Sequence, residues 1–277
     1  MPELPELEVV TEVLQRRVVG TTIQTVQVFP AGGAIVVRDL TRRGFSETLT
    51  GATITAVARR GKFLVFSLQA AAPAFLVLNP KLTGRLQLAA PTEKRYAKTH
   101  VVFALSCGDE LRYVDQKRMG QLYLTHDPAQ VPDFAGMGPE QFAISLDEFR
   151  ARVLRSRGEI KGILTRGEFV AGIGNAYADE ILWNARLHPY RKRTQLTPEE
   201  IERLYHAMQA TLRESVDKVR AEMGDAIHLK PREFLSVHMK SGEPCPRCGT
   251  PISLVGANQR ITNFCRTCQP GGLIRGM

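Results

Sequence analysis

The chain has 277 residues, of which 43% are hydrophobic and 23% charged, and it carries a net charge of +9. That length allows one large domain or two ordinary ones, each with its own core, and the composition excludes large-scale disorder. A basic surplus of this size favours a polyanionic partner, nucleic acid being the commonest; a merely soluble cationic protein is the alternative.

The opening residues, Met1-Pro2-Glu3-Leu4-Pro5-Glu6, lack the basic start of a signal peptide. The longest apolar stretch, 70–78, contains Pro73 and is far too short to span a bilayer. The expectation is a soluble, intracellular protein. Leu7, Val10, Leu14 and Val18 recur at helical spacing, with Gly20 as the stop. Short runs rich in Val, Phe and Leu follow at 21–29, 52–58, 62–68, 75–78, 100–105, 111–114 and 121–124. Gly, Pro or charged turns separate them, which predicts a β-sandwich behind a leading helix. Cys107 falls in this strand pattern and reads as a small buried apolar residue.

Residues 127–139, with three prolines and two glycines, mark a boundary. From Ser145 the period changes: Ser145-Leu146-Asp147-Glu148 is a capping box opening a helix to about Arg155. Residues 160–164, 176–183 and 197–223 also read as helices, the last opened by Thr197-Pro198-Glu199-Glu200. The tail from Lys240 is rich in turns and cysteine. The expected fold class is therefore α+β in two domains. The segments are 1–130 (β-sandwich), 131–144 (linker), 145–239 (helical) and 240–277 (metal-held appendage and tail).

Cys245-Pro246-Arg247-Cys248 and Cys265-Arg266-Thr267-Cys268 are two Cys-x-x-Cys knuckles separated by sixteen residues. Four thiolates at that spacing can surround one zinc ion and leave no open position, so the metal is expected to be structural. A disulfide pair or chance spacing is the other reading. From His238 onward there are five Lys or Arg residues (Lys240, Arg247, Arg260, Arg266, Arg275) against one acid, Glu243, which suits phosphate contact. Gly172-Ile173-Gly174-Asn175 lies between two helices, so the next helix can offer free N–H groups to a phosphate, or the glycines can serve helix packing alone. Removal of Met1 would expose Pro2 as a secondary amine of low pKa at a helix start. Such an amine can attack a sugar carbon and form a cationic iminium, with Glu3 beside it and Glu6 one turn on. An ordinary proline-rich helix start is the alternative.

Taken together in one order, three motifs resemble the formamidopyrimidine-DNA glycosylase and endonuclease VIII family. They are Pro2-Glu3-Leu4-Pro5-Glu6; Ile160-Lys161 followed by Ala171-Gly172-Ile173-Gly174-Asn175-Ala176-Tyr177-Ala178-Asp179-Glu180; and the four-cysteine hairpin ending in Gln269. The start resembles the formamidopyrimidine branch, since the other branch typically has glycine in place of Leu4. The resemblance implies a β-sandwich, then a helix-two-turns-helix domain with a zinc finger, with damaged double-stranded DNA in the cleft and the lesion flipped out. It further implies that Pro2 attacks the sugar and Glu3 manages protons, and that β- and δ-elimination follow from the Schiff base. Lys62 and Arg260 would assist at the phosphates, with Asn175 gripping there too. Glu6, Lys161 and Tyr177 would join the DNA-facing set, and Arg118 would face the orphaned base. The chain departs from the family in three places. Leu82 and Met119 stand where a methionine and a phenylalanine usually wedge into the stack, and Asn79 replaces a histidine. The segment Gly224-Asp225-Ala226-Ile227-His228-Leu229-Lys230-Pro231-Arg232 is shorter than the loop that covers an oxidised purine, and Val237-His238-Met239-Lys240 replaces Val-Tyr-Gly-Arg. The expectation is a bifunctional glycosylase and abasic-site lyase with one structural zinc ion, monomeric by default, in the bacterial cytoplasm at the nucleoid. A non-catalytic or lyase-only relative that recognises abasic or distorted DNA is the alternative.

Overall fold

A computed structural model describes residues 1–256 and 261–271. The chain divides into two compact units, Met1–Gly136 with Val219–Pro231, and Met137–Lys218 with Arg232–Met277.

The first unit opens with α1 (Leu4–Arg17), which has a proline in its first turn and Arg16 and Arg17 in its last, where cations suit the helix dipole. Its apolar face, Leu4, Leu7, Val10, Val13 and Leu14, is buried, and the helix lies along β3 and β4. The strands are β1 (Ile23–Val28), β2 (Val37–Asp39), β3 (Thr53–Arg60), β4 (Phe63–Gln69), β5 (Ala74–Asn79), β6 (Gly84–Ala89), β7 (Thr99–Leu105), β8 (Glu110–Asp115) and β9 (Gln121–Thr125). They form a four-stranded sheet in the order β1-β7-β8-β6 and a five-stranded sheet in the order β2-β9-β5-β4-β3. All pairs are antiparallel except β2 with β9. Buried Phe66, Leu76, Leu78, Phe103, Leu111 and Leu122 supply core from both sheets, each contributing about 1.5–3 kcal/mol of burial. The result is the expected sandwich behind a leading helix.

Three things differ from the sequence reading. Two short helices, α2 (Pro30–Val36) and α3 (Phe45–Leu49), and the strands β2 and β6 had no expectation. Two glycines argue against a helix at α2, and Phe45 fixes α3 by burying its ring against Phe103 at 6.4 Å. Cys107 is exposed in the turn between β7 and β8, not buried in a strand. The last turn of the long helix α7 and the residues to Pro231 pack with the sheets, although their sequence reads as part of the helical domain.

The second unit holds α4 (Leu146–Arg155), α5 (Ile160–Leu164), α6 (Asn175–Asn184) and most of α7 (Pro198–Met223). Ser145 Oγ accepts the Glu148 N–H at 3.2 Å to cap α4, which is the serine half of the expected capping box, while the Glu148 carboxylate accepts from Arg152 at 2.9 Å. Phe149, Ile163, Ile173, Tyr177, Ile181, Leu204 and Met208 lie in one buried cluster. A two-stranded hairpin, β10 (Ser253–Val255) with β11 (Thr262–Phe264), follows, and Cys245, Ile252 and Cys265 pack with Val237 and Trp183. Among the described residues no helix is long and apolar enough to cross a membrane.

Candidate active site and nucleic-acid interface

In the first unit, Pro2, Glu3 and Glu6 are all buried at the start of α1. Glu6 is only 1% exposed, and its Oε2 accepts the Glu3 N–H at 2.8 Å. Glu6 is thus a helix-capping group whose bond fixes the backbone beside Pro2. Pro2 and Glu6 border a cavity of about 20 Å³ walled by Leu7, Val10, Leu64, Leu78, Leu86 and Ile227, with Arg85 and Lys230 at its polar edge. Lys62 is half-buried in the tight turn between β3 and β4, two residues ahead of Leu64; Gly61 supplies the left-handed corner, and its carbonyl accepts from Arg59 at 3.1 Å. Arg59 is itself paired with Glu8 on α1, which ties that turn to the helix bearing Pro2.

Two neighbouring loops, 80–83 and 116–119, carry the wedge candidates, and one buried carboxylate organises both. Asp115 accepts hydrogen bonds from Thr83 Oγ1, Tyr113 Oη, the Lys117 N–H and the Gly120 N–H, the last at 2.8 Å. Burial and the adjacent carboxylate push the Tyr113 phenol far up, so it stays a proton donor. A Cβ on Gly84 or Gly120 would lie 2.4 or 2.0 Å from Tyr113 Oη, so both loop ends require glycine. At the tips, Leu82 is half-buried and Met119 is 47% exposed, while Arg118 is held in a left-handed conformation and donates to the Ala31 carbonyl at 2.9 Å. Asn79 Oδ1 accepts the Lys81 N–H, so its side chain closes its own turn. Sequence reasoning missed Asp115 as the hub, because its role depends on four partners spread over three segments.

In the second unit, Asn175 is the first residue of α6, with Gly174 as the preceding cap residue. Its Nδ2 donates to the Ile261 carbonyl at 2.8 Å. Lys161 is 8% exposed and contacts Asp179 Oδ1 at 2.6 Å, Thr262 Oγ1 at 2.8 Å and the Ile261 carbonyl at 3.0 Å. Lys161 is thus ion-paired to α6 and hydrogen-bonded to residues 261 and 262. Asp179 also receives His238 Nδ1 at 2.8 Å and the Asn263 N–H. Its neighbour Glu180 accepts the N–H groups of Ser236, Val237 and His238, and burial still raises its pKa above the ordinary range. Tyr177 is fully buried in the helical core, with the Arg232 guanidinium 5.4 Å from its ring centre. Lys161 and Tyr177 therefore serve the frame around Asn175 and present no free surface of their own. Arg260 and Arg275 lie outside the described residues.

The sulfur atoms of Cys245, Cys248, Cys265 and Cys268 all lie within 4.8 Å of one another, with Cys245–Cys268 at 3.9 Å and Cys248–Cys265 at 3.4 Å. A tetrahedral ion bound at about 2.3 Å needs sulfurs about 3.8 Å apart, so the four fit one metal ion and leave no position for substrate. Trp183 packs on this cluster, and the Arg247 guanidinium lies 4.0 Å from its ring centre.

These features together define a DNA-repair enzyme scaffold, and comparison with known proteins agrees. Residues 1–122 match the formamidopyrimidine-DNA glycosylase N-terminal domain, 135–225 the helix-two-turns-helix domain of the same enzymes, and 242–271 the zinc finger found in them and in isoleucyl-tRNA synthetases. The chain is 38% identical to the formamidopyrimidine-DNA glycosylase of Symbiobacterium thermophilum, covering 98% of this chain and 90% of that protein. It is 34% identical to that of Geobacillus kaustophilus, covering 97% and 100%. Among solved structures, Lactococcus lactis Fpg with abasic-site DNA superposes with a TM-score of 0.83 at 30% identity, over 98% of this chain and all of that one. MutM bound to DNA with carbocyclic 8-oxo-G gives 0.83 at 31%, with the same coverage. The chain belongs to the formamidopyrimidine-DNA glycosylase family, and its enzyme class is that of a DNA glycosylase.

Proposed function

We propose that the chain is a bifunctional glycosylase and abasic-site lyase acting on double-stranded DNA that carries a damaged base or an abasic site. The observation that carries this reading is the burial of Pro2 at the positive end of α1, beside Glu3 and Glu6 and at the border of a small cavity. With Met1 removed, the dipole at that end disfavours a protonated amine and leaves Pro2 nucleophilic near neutral pH. Pro2 nitrogen attacks the sugar's first carbon, and the bond to the base breaks with its electron pair leaving on the base. Glu3 moves the proton that the departing base and the opening sugar ring require. The resulting iminium withdraws electrons, so loss of a proton from the second carbon expels the 3′ phosphate, and a further elimination expels the 5′ phosphate.

Lys62 and Asn175 take the phosphates in this reading, with Arg260 as a third cation; Leu82 and Met119 wedge into the stack while Arg118 faces the unpaired base. Glu6, Lys161 and Tyr177 support these groups from within the fold. The four thiolates hold one zinc ion, which supplies rigidity to the finger and takes no part in the reaction. The protein acts as a monomer, in the bacterial cytoplasm at the nucleoid. Family members solved with abasic-site and 8-oxo-G DNA support the choice of partner.

The test is reductive trapping. Protein verified by mass spectrometry to lack Met1 is mixed with a duplex bearing one abasic site, and borohydride is added. A covalent adduct that disappears in Pro2→Gly is expected. Binding without adduct or strand cleavage would replace this reading with that of a DNA-binding relative.

A further inference from the structure

The segment after α7 lies across the Pro2 cavity and is fastened by charge. Asp225 bridges two arginines of α1, Oδ1 to Arg16 Nη2 at 2.7 Å and Oδ2 to Arg17 Nη1 at 2.9 Å. Arg17 is in turn held by Asp109 at 2.8 Å. Three residues on, the His228 carbonyl accepts from Arg85 Nη1 at 2.9 Å, and the His228 ring meets Tyr96 at 5.7 Å. Just before the segment, Arg220 pairs with Glu12 at 2.8 Å. Between these fastenings, Ile227 is 2% exposed and turns inward to share the cavity with Pro2, Leu7, Val10 and Leu64, beside Leu229. The space left, about 20 Å³, can hold one water molecule and no nucleobase.

We propose that residues 224–230 form an ion-latched strap that closes the Pro2 cavity against an intact base, with Ile227 as the plug and Asp225 as the latch. The inference rests on the reading of Pro2 as nucleophile and adds a substrate preference to it. An abasic sugar brings no base into the cavity, so it can be processed with the strap closed. A damaged base reaches Pro2 only when the strap lifts, which makes base excision the step that the latch restrains. The latch is built from half-exposed ion pairs and one backbone acceptor, contacts that are each weak, so it shifts the closed-to-open ratio by about three- to tenfold and no more.

The experiment compares wild type, Asp225→Ala and Ile227→Ala under single-turnover conditions, with enzyme in excess over DNA and at saturating concentration. One duplex carries a preformed abasic site and the other a formamidopyrimidine lesion. In both variants base excision is expected to rise about three- to tenfold, while strand cleavage at the preformed abasic site stays within about twofold of wild type. Amide exchange across 226–229 is expected to speed up in Asp225→Ala, a surface change that leaves the core intact. Unchanged base excision and unchanged exchange, with abasic-site cleavage intact, would overturn the strap and leave the nucleophile standing. Absence of abasic-site cleavage and trapping in the wild type would remove the nucleophile, and the strap proposal with it.

Discussion

Two polar assemblies in this protein are each built around one aspartate that holds two basic side chains, and they behave as opposites. In the strap, Asp225 and its arginine partners keep 42% to 60% of their side-chain surface in water. Around Asp179 the carboxylate is fully buried, and Lys161 and His238 reach it with side chains about 10% exposed. An exposed pair contributes roughly 0.2–1 kcal/mol and is readily broken, whereas removing one member of a buried set strands the others without solvent. The first arrangement suits a segment that must open and the second a frame that must not. The frame joins α5, α6, the residues before the first knuckle and β11, so it fixes Asn175 against the finger.

The largest break in the frame comes from the metal. Structural zinc in small fingers contributes on the order of 10–16 kcal/mol of apparent folding free energy, and the cluster of Val237, Cys245, Ile252 and Cys265 is too small to persist alone. Chelation is expected to abolish DNA binding while the strand signal of the sandwich persists in far-ultraviolet circular dichroism. Tight binding by protein verified to be metal-free would refute this. Next in size is Asp179→Ala, which leaves the Lys161 ammonium and His238 without their shared carboxylate. A loss of about 3–5 kcal/mol is expected in urea unfolding of the second unit, against under about 1 kcal/mol for Asp225→Ala in the first. Similar losses for the two substitutions would erase the contrast between frame and strap.

Much of this was legible from sequence because it follows from period and spacing. Alternating Val, Phe and Leu runs located seven strands of the sandwich, Ser145 and Thr197 announced helix starts, and the two knuckles announced four convergent thiols. What stayed hidden was how each polar group spends its hydrogen bonds. Glu6, Lys161 and Tyr177 sit in motifs that point toward DNA, and the fold uses the first as a cap, the second as a bracket between α6 and residues 261 and 262, and the third as core. Residue type alone does not record that consumption. The return of 219–231 to the sheets was equally invisible, since nothing in its local pattern names the surface that Ile227 covers. Asp115 carries no signal of its own in the sequence, and only the folded loops reveal its four donors.

The smallest expected effect sharpens the comparison from the strap's side. Burial lowers the His228 pKa below its ordinary value, with Arg85 adding to that effect and Glu93 opposing it. Tyr96 packs on the ring and Arg85 binds the residue's own carbonyl, so these three groups are the surroundings that protonation would disturb. For a base whose folded pKa is depressed, the stabilisation is complete above the unfolded value of about 6.5 and is lost as pH falls through the folded one. The strap is therefore expected to loosen on going from pH 7.5 to about pH 5, read as falling amide protection factors at 226–229 after correction for intrinsic exchange. The amides around Asp179 and Lys161 are expected to hold their protection over the same range. Tyr96→Ala returns the imidazole to water and should flatten the strap's dependence. A dependence unchanged in that variant would mean that another group titrates, and the strap's acid response would have to be sought away from His228.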